Sequence, residues 1–262
     1  MGQNSRCPRC QYIKSWSIRR GKRRCAACRY DWVARALPLR LTPAEWRQLL
    51  RWFILVQSSA VIAQEAGLER KRVLRALLLV RQAMTRDVSP VFSGTVEVDE
   101  TYLGGKWRNK RLGERAQGTK RGRGTTKQAV FGILCRGGQV WAEVVPNVEA
   151  RTLLPLLRQQ VRPGSTVCSD TFTSYTGVAA GGYVHRLVDH SQAFSDRQGG
   201  HVNGLEGFWG YLKRRLAAKG GIRRERLPLY LAEYVWRYNH RRLSVAEQVK
   251  SLLKLLQSYF GG

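Results

Sequence analysis

The chain has 262 residues, and 46 Lys+Arg against 18 Asp+Glu give a formal net charge of +28 at pH 7. An excess of that size argues against a small-molecule enzyme and for a polyanionic partner, with nucleic acid the natural choice. A hydrophobic content of 43% with eight Trp excludes a solvated tail and allows one main domain plus a smaller appendage.

The first 36 residues read as a cysteine module. Cys7-Pro8-Arg9-Cys10 and Cys25-Ala26-Ala27-Cys28 are CxxC pairs separated by fourteen residues, one short of the usual ribbon range. Each pair offers two thiolates, and four thiolates complete a tetrahedral zinc shell. The segment "YIKSWSIRRGKRR" between them reads as strand, Gly-centred turn, strand, held together by the metal. Disulfides are the alternative, but six cysteines without an export signal favour metal. The apolar run Leu49 to Val56 is short and interrupted by Arg51. Arg6 breaks the myristoylation pattern that "MG" suggests, so a cytoplasmic protein is expected.

Residues 37–90 read as helices. Thr42-Pro43-Ala44-Glu45 forms a capping box with Pro at the first helical position. A short helix, a turn at Gly67 and a longer helix from about Glu69 then outline a helix-turn-helix. Arg70, Lys71, Arg72 and Arg75 lie early in the second helix, where DNA would be met; a plain helical hairpin with a solvated basic face is the alternative.

Strands begin after Ser93. "GTVEVD" alternates and is expected to stop at Asp99, while "QAVFGILCR" and "QVWAEVV" flank Gly137-Gly138 as a hairpin. A helix over "EARTLLPLLRQQV", a strand "STVCSD", a further helix and the strand "YVHRLV" complete the expected order, which is that of a ribonuclease H-like α/β domain. The loop "GGKWRNKRLGERAQGTKRGRGTTK", with Lys106 near its start, is either a phosphate-tracking loop or a solvated linker.

Asp99, Asp170 and Glu206 are the candidate catalytic acids. Asn203, Glu206, Gly210 and Lys213 share one helical face, beside an apolar stripe of Leu205, Phe208, Trp209, Leu212 and Leu216. Glu206 therefore leans toward the strand ends bearing the two aspartates, and Lys213 lies two turns on. Three carboxylates brought together can hold paired Mg²⁺ or Mn²⁺ ions, which need oxygen ligands. Arg214 and Arg215, beside Lys213, are expected to meet DNA. Arg237, Arg241 and Arg242 on the later helix "RLPLYLAEYVWRYNHRR" are further candidates for DNA contact. Tyr102 and Tyr175 read as packing or stacking residues, and Cys135 and Cys168 as core. The tail "SVAEQVKSLLKLLQSYF" reads as an amphipathic helix, packed on the domain or used between copies.

The blocks "DETYLGGK", "SDTFTSY", "HVNGLEGFWGYLKRRL" and "YLAEYVWRYNHR" resemble those of DDE-type insertion-sequence transposases. The closest branch is the ISXO-like one with an N-terminal zinc ribbon, and the resemblance runs from Cys7 to about Arg242. It implies a ribonuclease H-like catalytic domain over 91–218, C-terminal helices over 219–262, and a homo-oligomer working on double-stranded DNA in a prokaryotic nucleoid. By resemblance Asp99 bridges two metal ions, and Asp170 and Glu206 hold one each. Thirty-five residues separate Asp170 from Glu206, a spacing common in such enzymes. Asn203 remains a rival or helper at the third position, since that branch often carries Asn there. The implied chemistry is hydrolysis at an element end, followed by attack of the freed 3′-hydroxyl on target DNA. A DNA-binding relative without activity and a structure-selective nuclease of the same fold are the alternatives.

Overall fold

The computed structural model describes residues 6–7, 9–19, 22–33, 37–87, 91–104, 127–136, 138–170, 177–187 and 203–261. Two compact units divide the chain: Met1–Arg86 with Leu243–Gly262, and Asp87–Arg242. The segment 219–262 expected at the C-terminus is therefore shared between them.

In the first unit, β1 (Ser15–Ile18), β2 (Lys22–Cys25) and β3 (Asp31–Val33) form an antiparallel sheet. β3 was not foreseen. It pairs with β2 through Arg24↔Asp31, where the guanidinium donates from Nε to Oδ1 at 2.6 Å and from Nη2 to Oδ2 at 2.7 Å. Helix α1 (Pro43–Ile54) begins with the expected box: Glu45 N donates to the Thr42 hydroxyl at 3.2 Å, and Thr42 N donates to the Glu45 carboxylate at 2.5 Å. Ser58 caps α2 (Ser59–Glu65), Gly67 turns the chain at φ 61°, and α3 (Arg70–Met84) follows with Glu69 at its N-cap. The tail helix α7 (Val245–Gly261) packs on α1 and α3, burying Leu252 and Leu256.

The second unit is built on a five-stranded sheet of order β6-β5-β4-β7-β8. β4 (Thr95–Leu103), β5 (Gln128–Cys135) and β6 (Val140–Val145) are antiparallel, while β7 (Thr166–Ser169) and β8 (Val184–Leu187) run parallel to β4. That order and those directions define an α/β ribonuclease H-like fold. β4 does not stop at Asp99. It continues to Leu103 because β5 pairs with it from Val96↔Cys135 to Leu103↔Gln128. Between β7 and β8 the expected helix is replaced, among the described residues, by the 3₁₀ turn Ala179–Gly181.

Strand alternation feeds two apolar layers. Val96, Val98, Phe131 and Ile133 pack toward α4 (Ala150–Gln160) through Leu153 and Leu157. Leu103, Val130 and Leu134 pack on the other face against α5 (Asn203–Ala217) and α6 (Leu227–Asn239). The odd-numbered residues of β4, Asp99 among them, thus look toward α5.

Candidate functional site

β4 and β7 bring Asp99 and Asp170 together. They are parallel and registered with Glu97↔Cys168, so two residues further along each chain come Asp99 and Asp170. Neighbouring strands stand about 4.8 Å apart, which makes these residues lateral neighbours. Asp170 follows the last residue of β7, whereas Asp99 is in mid-strand. Glu206 lies in the first turn of α5, on the exposed flank of the buried stripe Leu205, Phe208, Trp209 and Leu212. Lys213, seven residues on, continues that flank; Arg214 and Arg215 are also exposed, with the Arg215 guanidinium 5.6 Å over the Tyr211 ring on another side of the helix. Asn203 opens the helix, but its side chain lies outside the described set.

The electrostatics tie the three acids together. Burial pushes the Asp99 carboxyl up to about 6; the Glu100 backbone amide and the Trp209 indole pull it down, and the Asp170 and Glu206 carboxylates push it up. A half-buried carboxyl that feels two further negative charges is relieved by a cation. The donors are all oxygens, the ligand type preferred by hard divalent ions.

Two supporting arrangements escaped sequence reasoning. Trp209, read as plain stripe, donates its indole N–H to Asp99 Oδ2 at 3.0 Å. Gly132, the register partner of Asp99 on β5, gives that indole its space: a Cβ there would lie 2.6 Å from two atoms of the Trp209 ring. Beneath Asp170, the Ser169 hydroxyl donates to the Asp170 carbonyl at 2.8 Å and meets His185 Nε2 at 2.9 Å. With its one proton given to the carbonyl, the hydroxyl accepts from His185, which fixes the proton on Nε2. The available signal was period-two alternation, which places Glu97 and Asp99 on one face; nothing local marked Gly132.

Other candidates separate. Arg237 is buried and paired with Glu233 at 2.9 Å, so this cation serves the core rather than DNA. Arg241 donates to the carbonyls of Gly138 at 2.9 Å and Tyr238 at 2.6 Å, bracing the β5–β6 turn. Tyr102 packs against the α4-side core, and Cys168 is fully buried. Lys106 and Tyr175 lie outside the described residues.

In the first unit, Arg70, Lys71, Arg72 and Arg75 are all exposed on α3. Lys71, Arg72 and Arg75 line a cavity of about 580 Å³ with Glu69 and a cation that the sequence did not single out, Arg40. Leu39 and Arg40 adopt φ of 65° and 53°, a left-handed bend that delivers the guanidinium to α3. Four cations against one carboxylate make the cavity attractive to an anion.

Cys7, Cys10, Cys25 and Cys28 converge as expected, with their sulfurs all within 4.8 Å of one another. Each knuckle ends on a left-handed residue, Gln11 at φ 60° and Arg29 at φ 55°. Burial raises the Cys25 thiol, but the backbone N–H groups of Cys28 and Ala27 and the thiols of Cys10 and Cys28 bring it down to about 7. The cluster can chelate a metal ion in the manner of a zinc ribbon. Among the described residues no helix is long and apolar enough to cross a membrane.

The ribonuclease H-like sheet thus carries Asp99 on its central strand and Asp170 just past the end of the neighbouring strand β7. Residues 91–239 match the ISXO2-like transposase domain, more than half of the chain, and the chain belongs to that family. Over 124 residues it is 36% identical to an uncharacterized transposase-like protein of Haemophilus influenzae, a match covering 47% of this chain and 95% of the relative. Among solved structures it is similar to the catalytic core domain of BIV integrase, at 19% identity and TM-score 0.38 over 58% of this chain and 88% of that one. It is also similar to the protein of a pre-cleavage Mos1 transpososome, at 14% identity and TM-score 0.32 over 85% and 81%.

Proposed function

We propose that this protein is the DNA transposase of an insertion sequence, cleaving phosphodiesters at the element's ends and joining the freed ends to target DNA. The observation that carries this reading is the lateral pair Asp99 and Asp170 beside Glu206, with Asp99 pushed up to about 6 in a setting that favours a cation. Asp99, Asp170 and Glu206 are the residues that would hold Mg²⁺ or Mn²⁺, with Asn203 as a neighbouring oxygen donor. Bound there, two such cations would supply Lewis-acid stabilisation for an in-line displacement at phosphorus.

The chain's own groups do the rest. The Trp209 indole occupies one edge of Asp99 Oδ2 and so holds the carboxyl in one rotamer. His185 and Ser169 fix the backbone at Asp170. Lys213 on the Glu206 flank of α5, with the exposed Arg214 and Arg215 on its other sides, would hold phosphates by charge. Arg70, Lys71, Arg72 and Arg75 on α3, with Arg40, bind the duplex, and Lys106, which follows β4 in sequence, adds a further cation. The four cysteines hold Zn²⁺ and keep the ribbon folded. The protein works in the cytoplasm as a homo-oligomer on double-stranded DNA.

The test is a labelled duplex carrying the inverted repeats that flank the reading frame, incubated with Mg²⁺ and a target plasmid. Cleavage followed by joined product supports the reading; cleavage alone makes the protein a nuclease, and a gel shift alone makes it a binder. Asp99→Ala or Asp170→Ala should abolish cleavage and leave the gel shift intact. Wild-type cleavage by either variant removes the proposed site.

A further inference from the structure

Glu97 stands two residues before Asp99 and is 1% exposed, an unusual place for a carboxyl group. Burial of such a group is costly unless it is hydrogen-bonded. Its Oε2 accepts from the backbone N–H of Leu205 at 3.0 Å, within the first turn of α5. The first N–H groups of a helix have no partner inside the helix and carry its positive end. Glu97 meets both needs from the strand below.

The neighbouring residue makes this approach possible. A Cβ on Gly204 would sit 2.9 Å from Glu97 Oε2 and 3.2 Å from Oε1. Further along, Trp209 reaches Asp99 at 3.0 Å. Glu97 and Asp99 are about 6.8 Å apart along a strand, and Leu205 and Trp209 about 6.0 Å apart along a helix. The two hydrogen bonds are thus successive rungs between β4 and α5, each joining an acid on the strand to the helix. Glu206 follows Leu205 directly, so the rung at Glu97 sets how far Glu206 sits from Asp99.

We propose that Glu97 is a positioning residue: by holding Leu205 N–H it fixes the register of α5 on β4 and with it the spacing of Glu206 from Asp99. This rests on the transposase reading above. With one oxygen committed to the helix, Glu97 acts through its neighbours and does not itself touch metal or DNA.

The test uses the full zinc-loaded chain and four variants. Glu97→Gln keeps an oxygen acceptor. Glu97→Met fills the volume without one. Gly204→Ala crowds the carboxyl group, and Asp99→Ala serves as control. Mn²⁺ binding is read from the EPR signal of free Mn²⁺, and cleavage from the labelled duplex. Glu97→Met should weaken Mn²⁺ binding tenfold to a hundredfold, roughly the effect of losing an outer support of a metal site, while Glu97→Gln stays within about threefold of wild type. Unchanged Mn²⁺ binding in Glu97→Met overturns the proposal. So does Glu97→Gln binding as weakly as Asp99→Ala, which would make Glu97 a ligand. If Glu97→Met does not fold, Gly204→Ala decides: weakened Mn²⁺ binding supports the positioning role, and wild-type binding ends it. Wild-type Mn²⁺ binding and cleavage in Asp99→Ala would instead bring down the underlying site.

Discussion

At Asp99 burial and two neighbouring carboxylates outweigh the two groups that donate hydrogen bonds to it, and the balance has a thermodynamic sign. The folded protein holds this proton up to about 6, above the ordinary value of 3.8. Between those values the native state binds more protons than the unfolded chain, so stability falls as pH rises and stays lower above about 6. The penalty at neutral pH is about 3 kcal/mol at most for a shift of this size. Asp99→Asn keeps an oxygen for Trp209 and removes the charge. In metal-free buffer it should raise stability toward denaturant at pH 7.5 and leave it nearly unchanged at pH 3.5; equal gains at both would contradict the burial account. Residue identity was legible here to different depths. Asp99 and Asp170 stood out because each closes an apolar run, whereas Glu97, inside such a run, passed as part of the strand's alternation. Arg237 misled because a basic helix rich in arginine suggests DNA, although Glu233 four residues earlier already offered the helical pairing that buries it.

Among the elements, β4 and α5 form the frame of the site, and Gly132 on β5 leaves the space that the Trp209 ring of α5 fills. Gly132→Ala places a methyl 2.6 Å from the Trp209 ring. The ring must shift and release Asp99, at a cost of roughly 1–3 kcal/mol of stability, the range for overpacked cores. Cleavage should fall while the gel shift persists; a variant with wild-type cleavage would show that the indole contact is dispensable. Beside α3, Arg40 should behave as a phosphate contact: Arg40→Gln should weaken binding to all duplexes alike and reduce the salt slope of log K by about 0.9. A sequence-dependent loss with an unchanged slope would assign it to base reading instead. Local elements were readable from local chemistry, as the Thr42–Glu45 box and the Gly67 turn attest. Long-range ones were not. β3 is three residues long and exists because β2 pairs with it, and β4 outruns Asp99 because β5 continues to pair.

Over the whole molecule, metal and chain path matter more than any single contact. Removing zinc should unfold the ribbon, because its three short strands enclose little apolar volume. Cys7→Ser should lower bound zinc measured by atomic absorption; a metal-free wild type with the same near-UV spectrum would refute the cluster's role. The sequence showed that the last helix was amphipathic but not where its apolar face goes, since partner stripes about 160 to 220 residues upstream leave no local mark. That destination has a temporal consequence. α1 and α3 leave the ribosome early, yet the helix that covers them is translated only after Asp87–Arg242. At usual elongation speeds the wait is about 8–30 s. Chains stalled near residue 240 should leave α1–α3 open to protease, and release of the full-length polypeptide should close them. Under the proposed transposase reading, abortive products would then be poor occupants of an element's termini.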